Sequence, residues 1–347
     1  MKNELFDALD QLEKEKGISK DMLIDAIEAA LITAYKKNFG SSQNVKVIIN
    51  RDNGSVKVYS RKEVVENVEN DLFEISLEEA KKIDPNYEIA DIIEEEVTPR
   101  NFGRIAAQTA KQVVVQRIRE AERSVIFQEY ANRESEIVTG IIQRISKGTV
   151  YINLGRIEAL LLPNEQIQGE IYKQGSRIKT YIVEVKKTTK GPQIQVSRTH
   201  PGLVKRLFEL EVPEIHDGIV EIKGISREAG SRTKIAVYSA DINIDPVGAC
   251  VGQRGVRVQN IVDELKGEKI DIIKWDKDPA IFISNSLSPS KVLKVEINDE
   301  NEKSALVVVP DYQLSLAIGK EGQNARLAAK LTGWKIDIKS ESQYKGE

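Results

Sequence analysis

Residues 249–259 read ACVGQRGVRVQ and residues 316–326 read LAIGKEGQNAR, so an apolar tripeptide leads into a Gly-x-x-Gly loop twice in this chain. The first glycines of the two loops are 67 residues apart. The tetrapeptide KIDI recurs at 269–272 and 335–338, which are 66 residues apart. One residue of slippage over such a block indicates an internal repeat. Each copy predicts a helix, a glycine loop, a second helix and a strand.

A helix–loop–helix unit of this kind suits single-stranded nucleic acid. Glycine lacks a Cβ, so the loop backbone can approach a sugar-phosphate chain, and the second helix points unpaired N–H groups towards a phosphate. This is the arrangement of the KH module, in which the loop clamps about four nucleotides. The alternative is that the glycines only make tight helix–helix turns, but repetition of the whole unit favours the first interpretation.

The loops and the first turns of the following helices supply the candidate RNA-binding residues. They are Gly252, Gln253, Arg254, Gly255, Arg257, Gln259, Gly319, Lys320, Glu321, Gly322, Asn324 and Arg326. Lys320 is the best phosphate candidate, and Glu321 beside it is expected to point outward because a carboxylate opposes a phosphate. For the helical members of this set, the alternative is a solvated polar helix face.

Two strands precede the helix pair in each copy. We predict them at Gly218–Ile225 and Lys234–Ser239, and at Val292–Ile297 and Ala305–Val309. Strands ahead of the loop and its helices correspond to the type II ordering of the KH fold. We therefore place two KH units at residues 201–280 and 281–347, and the short join between them favours a fixed pair.

Residues 133–200 predict a small β-barrel, because short strands and turn residues alternate at regular intervals. The corner at 155–159, the run LLPNE at 161–165 and the closing VSR at 196–198 resemble the S1 domain, an OB-type fold that binds single-stranded RNA. The stacking positions of that family hold only one aromatic here, Tyr151, one place off. We expect the barrel to bind RNA weakly by charge or to act as a spacer. The candidate contacts are Lys147, Arg156, Lys179 and Lys186.

The first hundred residues predict an α+β domain. Helical periodicity covers 3–16 and then 19–40, after which apolar residues alternate on both sides of Asp52-Asn53-Gly54, a strong hairpin signal. Residues 101–132 predict one helix about 45 Å long, a connector that makes the multidomain chain elongated. The alternative is that this helix packs wholly within the first domain.

Charge and composition limit the possible functions. The net charge is −3, but residues 1–100 carry −8 and residues 131–202 carry +5, an asymmetry that suggests two different partners. The single cysteine, Cys250, excludes an internal disulfide. There is no targeting or membrane segment, which indicates a cytoplasmic protein. No catalytic constellation is seen, and the sequence predicts no enzyme, no cofactor and no metal site.

The domain order and four specific stretches resemble the NusA family of bacterial transcription elongation factors over essentially the whole chain. The stretches are TPRNFGRIAAQTAK (98–111), DINIDPVGACVG (241–252), SLSPS (286–290) and LAIGKEGQNARLAA (316–329). The resemblance implies that the N-terminal domain contacts RNA polymerase and that S1-KH-KH takes nascent single-stranded RNA. It implies modulation of pausing, termination and antitermination, with other elongation factors as further partners, by a monomer without membrane contact.

Three other functions remain open from the residues alone. Tandem KH units with an S1 barrel also suit a protein of ribosome assembly or translation. An RNA-processing enzyme is disfavoured, because residues 1–130 hold no phosphate-binding loop and no clustered metal-binding carboxylates. A purely architectural protein is the third alternative.

Overall fold

The structure is a computed structural model, and it describes residues 4–39, 44–50 and 54–345. The chain divides into two compact units, Met1–Val125 and Ile126–Glu347. Each unit combines helices with β-sheet, so the predicted α+β multidomain class is confirmed. In the described part of the chain, no helix is both long and apolar enough to cross a membrane.

The first unit is a four-stranded sheet with helices. Its elements are α1 (Glu4–Lys16), α2 (Lys20–Phe39), β1 (Val45–Ile49), β2 (Val56–Val65), β3 (Glu74–Ser76), α3 (Leu77–Ile83), β4 (Ile92–Glu96) and the start of α4 (Phe102–Ala131). Strand β2 pairs antiparallel with β1 and β4 and parallel with β3. The β1–β2 pairing is that of the predicted hairpin, although Asp52 and Asn53 of the predicted turn lie outside the described residues.

Helix α4 contributes to two hydrophobic cores. Phe102, Ala106 and Ala110 are buried among residues of α1, α2 and β1. Tyr130, in the last turn, is buried with the apolar side chains of the barrel in the second unit. The helix is therefore not confined to the first domain, and its two ends belong to different hydrophobic cores.

The second unit begins with the predicted barrel, which is confirmed. Its strands are β5 (Ile137–Ser146), β6 (Thr149–Asn153), β7 (Glu158–Leu161), β8 (Arg177–Thr188) and β9 (Gly191–Ser197). They close in the order β5-β6-β7-β9-β8. Alternate residues such as Val138, Ile142 and Ile194 are buried, because successive side chains of a strand point to opposite faces.

Two KH units of type II order follow. The first has α5 (Pro201–Glu211), α6 (Pro213–His216), β10 (Val220–Glu228), β11 (Arg232–Ser239), α7 (Pro246–Val251), α8 (Val256–Glu264) and β12 (Lys269–Lys274). The second has α9 (Pro279–Ser286), β13 (Lys294–Asp299), β14 (Ser304–Val309), α10 (Leu314–Ile318), α11 (Gln323–Thr332), β15 (Lys335–Ser340) and α12 (Glu341–Lys345).

The two KH sheets have the same topology. In each, the middle strand pairs antiparallel with the strand before it and parallel with the KIDI strand. Asp245 and Asp278 accept backbone N–H groups at the starts of α7 and α9, each just ahead of a proline at the first helical position. Cys250 lies in the first KH core, where burial raises the pKa of its thiol to about 12.

Candidate nucleic-acid interface

The two glycine loops have the same backbone conformation. The four glycines all have positive φ, between 73° and 78°, and the third residue of each loop, Arg254 or Glu321, has a φ of 53°. Each loop connects the end of one helix, α7 or α10, to the start of the next, α8 or α11. The repeat inferred from the spacing is therefore a repeat of three-dimensional structure at the loops.

The first glycine of each loop is required by the protein's own packing. A Cβ on Gly319 would lie 2.8 Å from the backbone nitrogen of Asn324, and a Cβ on Gly252 would lie 2.7 Å from Cγ of Arg257. A Cβ on Gly255 would meet nothing within 4 Å, and one on Gly322 would only touch Arg326 at 4.0 Å. The space expected for a sugar-phosphate chain is therefore open at the second glycine.

Asn324 supports the second loop from inside the protein. Its side chain is 3% exposed, and its Nδ2 donates to the carbonyls of Ala317 (3.0 Å) and Leu287 (3.1 Å). The expectation that Asn324 extends towards RNA is corrected, because its amide is used to hold the end of α10. No periodic signal in the sequence separates such a buried amide from a solvated one.

Arg257 occupies the equivalent position in the first unit and has a similar task. Its Nη1 donates to the carbonyl of Ala249 (2.6 Å) in α7 and pairs with Glu214 (2.9 Å) in α6. Gln259, two residues further on, donates to Asp263 (2.8 Å) on the same helix. Both candidate side chains are thus engaged within their own unit.

The exposed cations of the two loops are Arg254 and Lys320. In the described part of the chain, neither side chain has a hydrogen bond or an ion pair. Gln253 and Glu321 are also exposed, as expected for loop residues that face solvent. An unpaired cation and an open glycine within the same loop are the features with which a protein can hold RNA phosphates.

Arg326 and Gln323 connect the second loop to the first KH unit. Arg326 makes a bidentate ion pair with Glu228 at the end of β10 (Nε–Oε1 2.6 Å, Nη2–Oε2 3.1 Å). Its Nη1 also donates to the carbonyl of Glu321 (3.0 Å) inside the loop. Gln323 donates to Glu228 (2.8 Å) and to Ser231 (2.7 Å). Sequence reasoning missed Glu228, whose partners lie almost a hundred residues away.

These contacts keep Glu228 ionised. The hydrogen bond from Arg326 lowers the pKa of the Glu228 carboxyl below its ordinary value and outweighs the opposing effect of partial burial, and the hydrogen bond from Gln323 lowers the pKa further. The carboxylate is therefore a permanent negative charge beside the second loop at neutral pH.

An apolar contact also joins the two KH units. Phe282 of α9 packs with Trp275, Ile273 and Ala236 of the first KH unit, together with Leu331 of α11. The expectation of a fixed pair of KH units agrees with this shared cluster.

The four barrel candidates do not form one site. Lys147 lies in the exposed β5–β6 turn, and Lys186 pairs with Glu184 on its own strand (2.7 Å). Arg156 lies 3.6 Å from Glu129, and Lys179 lies 3.6 Å from Glu264 of the first KH unit. The guanidinium of Arg144, which the sequence did not single out, covers the ring of Tyr151 at 3.5 Å. The one aromatic near the expected stacking position is thus already covered by a cation.

A buried arginine fixes the barrel to the first KH unit. Arg198 is fully buried and donates to Glu170 (2.6 Å), to the carbonyl of Lys179 (2.9 Å) and to the carbonyl of Glu264 (3.0 Å). A second buried pair, Arg227 with Glu268, lies in the first KH unit, and Arg227 also donates to the carbonyl of His200 (2.8 Å). The barrel and the first KH unit are therefore held together by satisfied buried charges.

Four protein-family profiles match successive parts of the chain. They are the NusA N-terminal domain (residues 4–124), the S1 RNA binding domain (132–197), the NusA-like first KH domain (198–275) and the NusA-like second KH domain (279–346). Together they reproduce the domain order expected from the sequence.

Curated relatives match over nearly the full chain. The transcription termination/antitermination protein NusA of Halalkalibacterium halodurans is 64% identical over 343 residues, which are 99% of this chain and 90% of the relative. The protein of the same name from Bacillus subtilis is 64% identical over 342 residues, covering 99% and 92%. That of Thermus thermophilus is 43% identical over 347 residues, covering 97% and 89%.

Proposed function

Because the chain belongs to the NusA family of transcription termination/antitermination proteins, we propose that its two exposed loop cations bind nascent single-stranded RNA while its N-terminal domain binds RNA polymerase. The chain is a transcription termination/antitermination factor with S1 and KH RNA-binding domains. A role in ribosome assembly or translation is not favoured, since the curated relatives are named for transcription.

The observation that carries the RNA half of the proposal is the pairing of open glycines with unpaired cations. Arg254 and Lys320 take the phosphates, and the backbone at Gly255 and Gly322 admits the sugar-phosphate chain. Arg257, Gln259, Asn324 and Arg326 shape or support the loops. Residues 4–124 supply the surface for polymerase, and the family match supports this assignment.

The proposed activity is regulatory and needs no bond-making chemistry. The chain holds transcript and polymerase together and thereby changes pausing, termination and antitermination, with other elongation factors binding the same assembly. It acts as a monomer in the cytoplasm, where bacterial transcripts emerge. The names of the relatives describe factors rather than enzymes, and this supports the proposed absence of catalysis.

Two measurements test this function. The first is a titration of residues 126–347 and of the full chain with unstructured RNA at low salt. The second is a pull-down from nuclease-treated bacterial lysate, in which the recovered polymerase is compared between the full chain and a chain lacking residues 1–125. We expect RNA binding by both proteins and polymerase recovery by the full chain alone. Absence of RNA binding overturns the RNA half, and polymerase recovery without the N-terminal unit overturns the other.

A further inference from the structure

Glu228 accepts hydrogen bonds from two polar side chains of the first turn of α11, those of Gln323 and Arg326. It accepts the bidentate ion pair from Arg326 and the hydrogen bond from Gln323. Gln323 directly follows Gly322 and Arg326 lies about one turn further along α11, so the two donors lie at the base of the second loop. Glu228 itself belongs to the other KH unit, at the end of β10.

The guanidinium of Arg326 contacts two different groups, the Glu228 carboxylate and a backbone carbonyl of the loop. Two of its nitrogens contact Glu228, and the third, Nη1, donates to the carbonyl of Glu321 within the loop. A phosphate brought to this guanidinium would also approach the Glu228 carboxylate and be repelled by it. The arrangement therefore favours a brace for the loop over a direct phosphate contact.

Among the described residues, the first loop shows no contact that ties it to the other KH unit. Gln259, which occupies the position of Arg326, donates to Asp263 on its own helix. The two loops therefore differ in what holds them, although their backbones agree. Each loop is supported from within its own KH unit, by Arg257 or by Asn324, and the second loop is in addition tied to the first KH unit through Glu228.

We propose that Glu228 is a positioning residue for RNA recognition, which holds Arg326 and Gln323 and thereby fixes the second loop at a set place on the first KH unit. This inference rests on the proposed RNA binding. One strand that occupies both loops gains most from effective concentration when the separation of the loops matches the length of RNA that links the two sites. The contribution of the second loop to RNA affinity thus depends on a carboxylate of the first KH unit.

The test uses the full chain and an unstructured RNA of about 8–12 nucleotides, enough for two four-nucleotide sites and the linking chain. Glu228→Gln is expected to weaken binding about fivefold, because it loses the charge that orients Arg326. Glu221→Gln is the matched control on the same strand, since the Glu221 carboxylate pairs with Lys223 of its own strand, and it is expected to bind like the unaltered chain.

A charge exchange separates positioning from direct contact. Arg326→Glu and Glu228→Arg alone are expected to lose about tenfold in affinity, while the double exchange restores binding to within about threefold. Restoration without a cation at 326 is the signature of a positioning role. Tighter RNA binding by Glu228→Gln would instead show that Arg326 contacts a phosphate and that Glu228 competes with the phosphate for it. Unchanged binding would show that the pair does not affect RNA affinity. Either result overturns the inference.

Hydrogen exchange gives a readout that does not require RNA. Glu228→Gln is expected to speed exchange of the amides at 319–326 and to leave those at 252–259 unchanged. If exchange responds in this way but the unaltered chain binds no RNA, the brace exists and the proposed RNA function is wrong. If exchange does not change while RNA binding is normal, the inference about Glu228 is wrong and the proposed function stands.

Discussion

Asn324 lies directly over Gly319, so closely that a Cβ on the glycine would come within 2.8 Å of the Asn324 backbone nitrogen and 2.9 Å of its Cβ. The first glycine of a Gly-x-x-Gly loop thus serves the contact between the loop and the helix that follows. The same relationship between Gly252 and Arg257 shows that it is a property of the repeat.

This contact predicts unequal effects of two alanine substitutions. Gly319→Ala is expected to lower the free energy of unfolding of the second KH unit by about 2–4 kcal/mol, from overlap plus positive φ. Gly322→Ala is expected to cost about 1 kcal/mol, because its surroundings are open and only φ is strained. Urea unfolding followed by Trp334 fluorescence, with Trp275→Phe in both proteins, measures the difference. Equal losses would contradict the packing role of the first glycine.

The loop cations are expected to act on RNA affinity and salt dependence. Lys320→Gln and Arg254→Gln should each weaken RNA binding several-fold and reduce the slope of log affinity against log salt by about 0.7, as one phosphate contact is lost. Lys205→Gln, on an exposed position of α5, is the control and should change neither quantity. Titrations at three salt concentrations measure both, and an unchanged slope would remove Lys320 and Arg254 from the phosphate contacts.

Removal of the buried guanidinium at the barrel–KH junction should be costly. Arg198→Gln leaves Glu170, 4% exposed, without its cation, and the loss is expected to be about 3–5 kcal/mol. The thermal transition of the second unit should then fall by on the order of 10 °C. Arg144→Gln breaks a solvent-exposed pair with Glu158 and should cost less than about 1 kcal/mol. Differential scanning calorimetry compares the two, and similar shifts would rule out a special role of Arg198.

Glu268 predicts a pH dependence of stability. Burial alone would raise the pKa of this carboxyl, but the Arg227 guanidinium, the Thr233 hydroxyl and the Gly230 N–H together hold the pKa below its ordinary value of 4.5. A carboxyl with a lower pKa in the folded state stabilises the fold above its unfolded pKa, and this contribution is lost as the pH falls through the folded value.

Glu268→Gln should therefore destabilise the first KH unit by about 3–5 kcal/mol at pH 7, where it leaves Arg227 buried without a charge partner. The deficit relative to the unaltered chain should shrink as the pH falls below about 4.5. Urea midpoints at pH 7, 5, 4 and 3 measure this change. A deficit that stays constant across the series would show that Glu268 is not ionised in the folded protein.

The sequence predicted the elements that carry a local signal. The barrel strands and the order of elements in the KH units follow from periodicity and turn residues. Strands β3 and β4 were missed. The sequence of β4, IIEEE, has little strand character of its own, and it becomes a strand by pairing with β2.

The candidate site was harder to predict than the fold because its contacts join distant parts of the chain. Arg326 and Asn324 look alike in sequence, as polar residues in the first turns of a helix. One meets Glu228 across the KH pair, and the other is buried against Leu287 and Ala317. Neither partner could be inferred from spacing, since each lies in a different element whose approach is decided by tertiary packing.

The shared cluster around Phe282 bears on how the repeat can evolve. Gly224 of β10 faces Leu331 of α11, and a Cβ there would already be 3.4 Å from the leucine side chain. The two KH units of the repeat thus have complementary surfaces, and a substitution on one surface favours a compensating substitution on the other. Recombination between relatives would preserve this fit only if it moved both KH units together, so we expect the pair to behave as a single module.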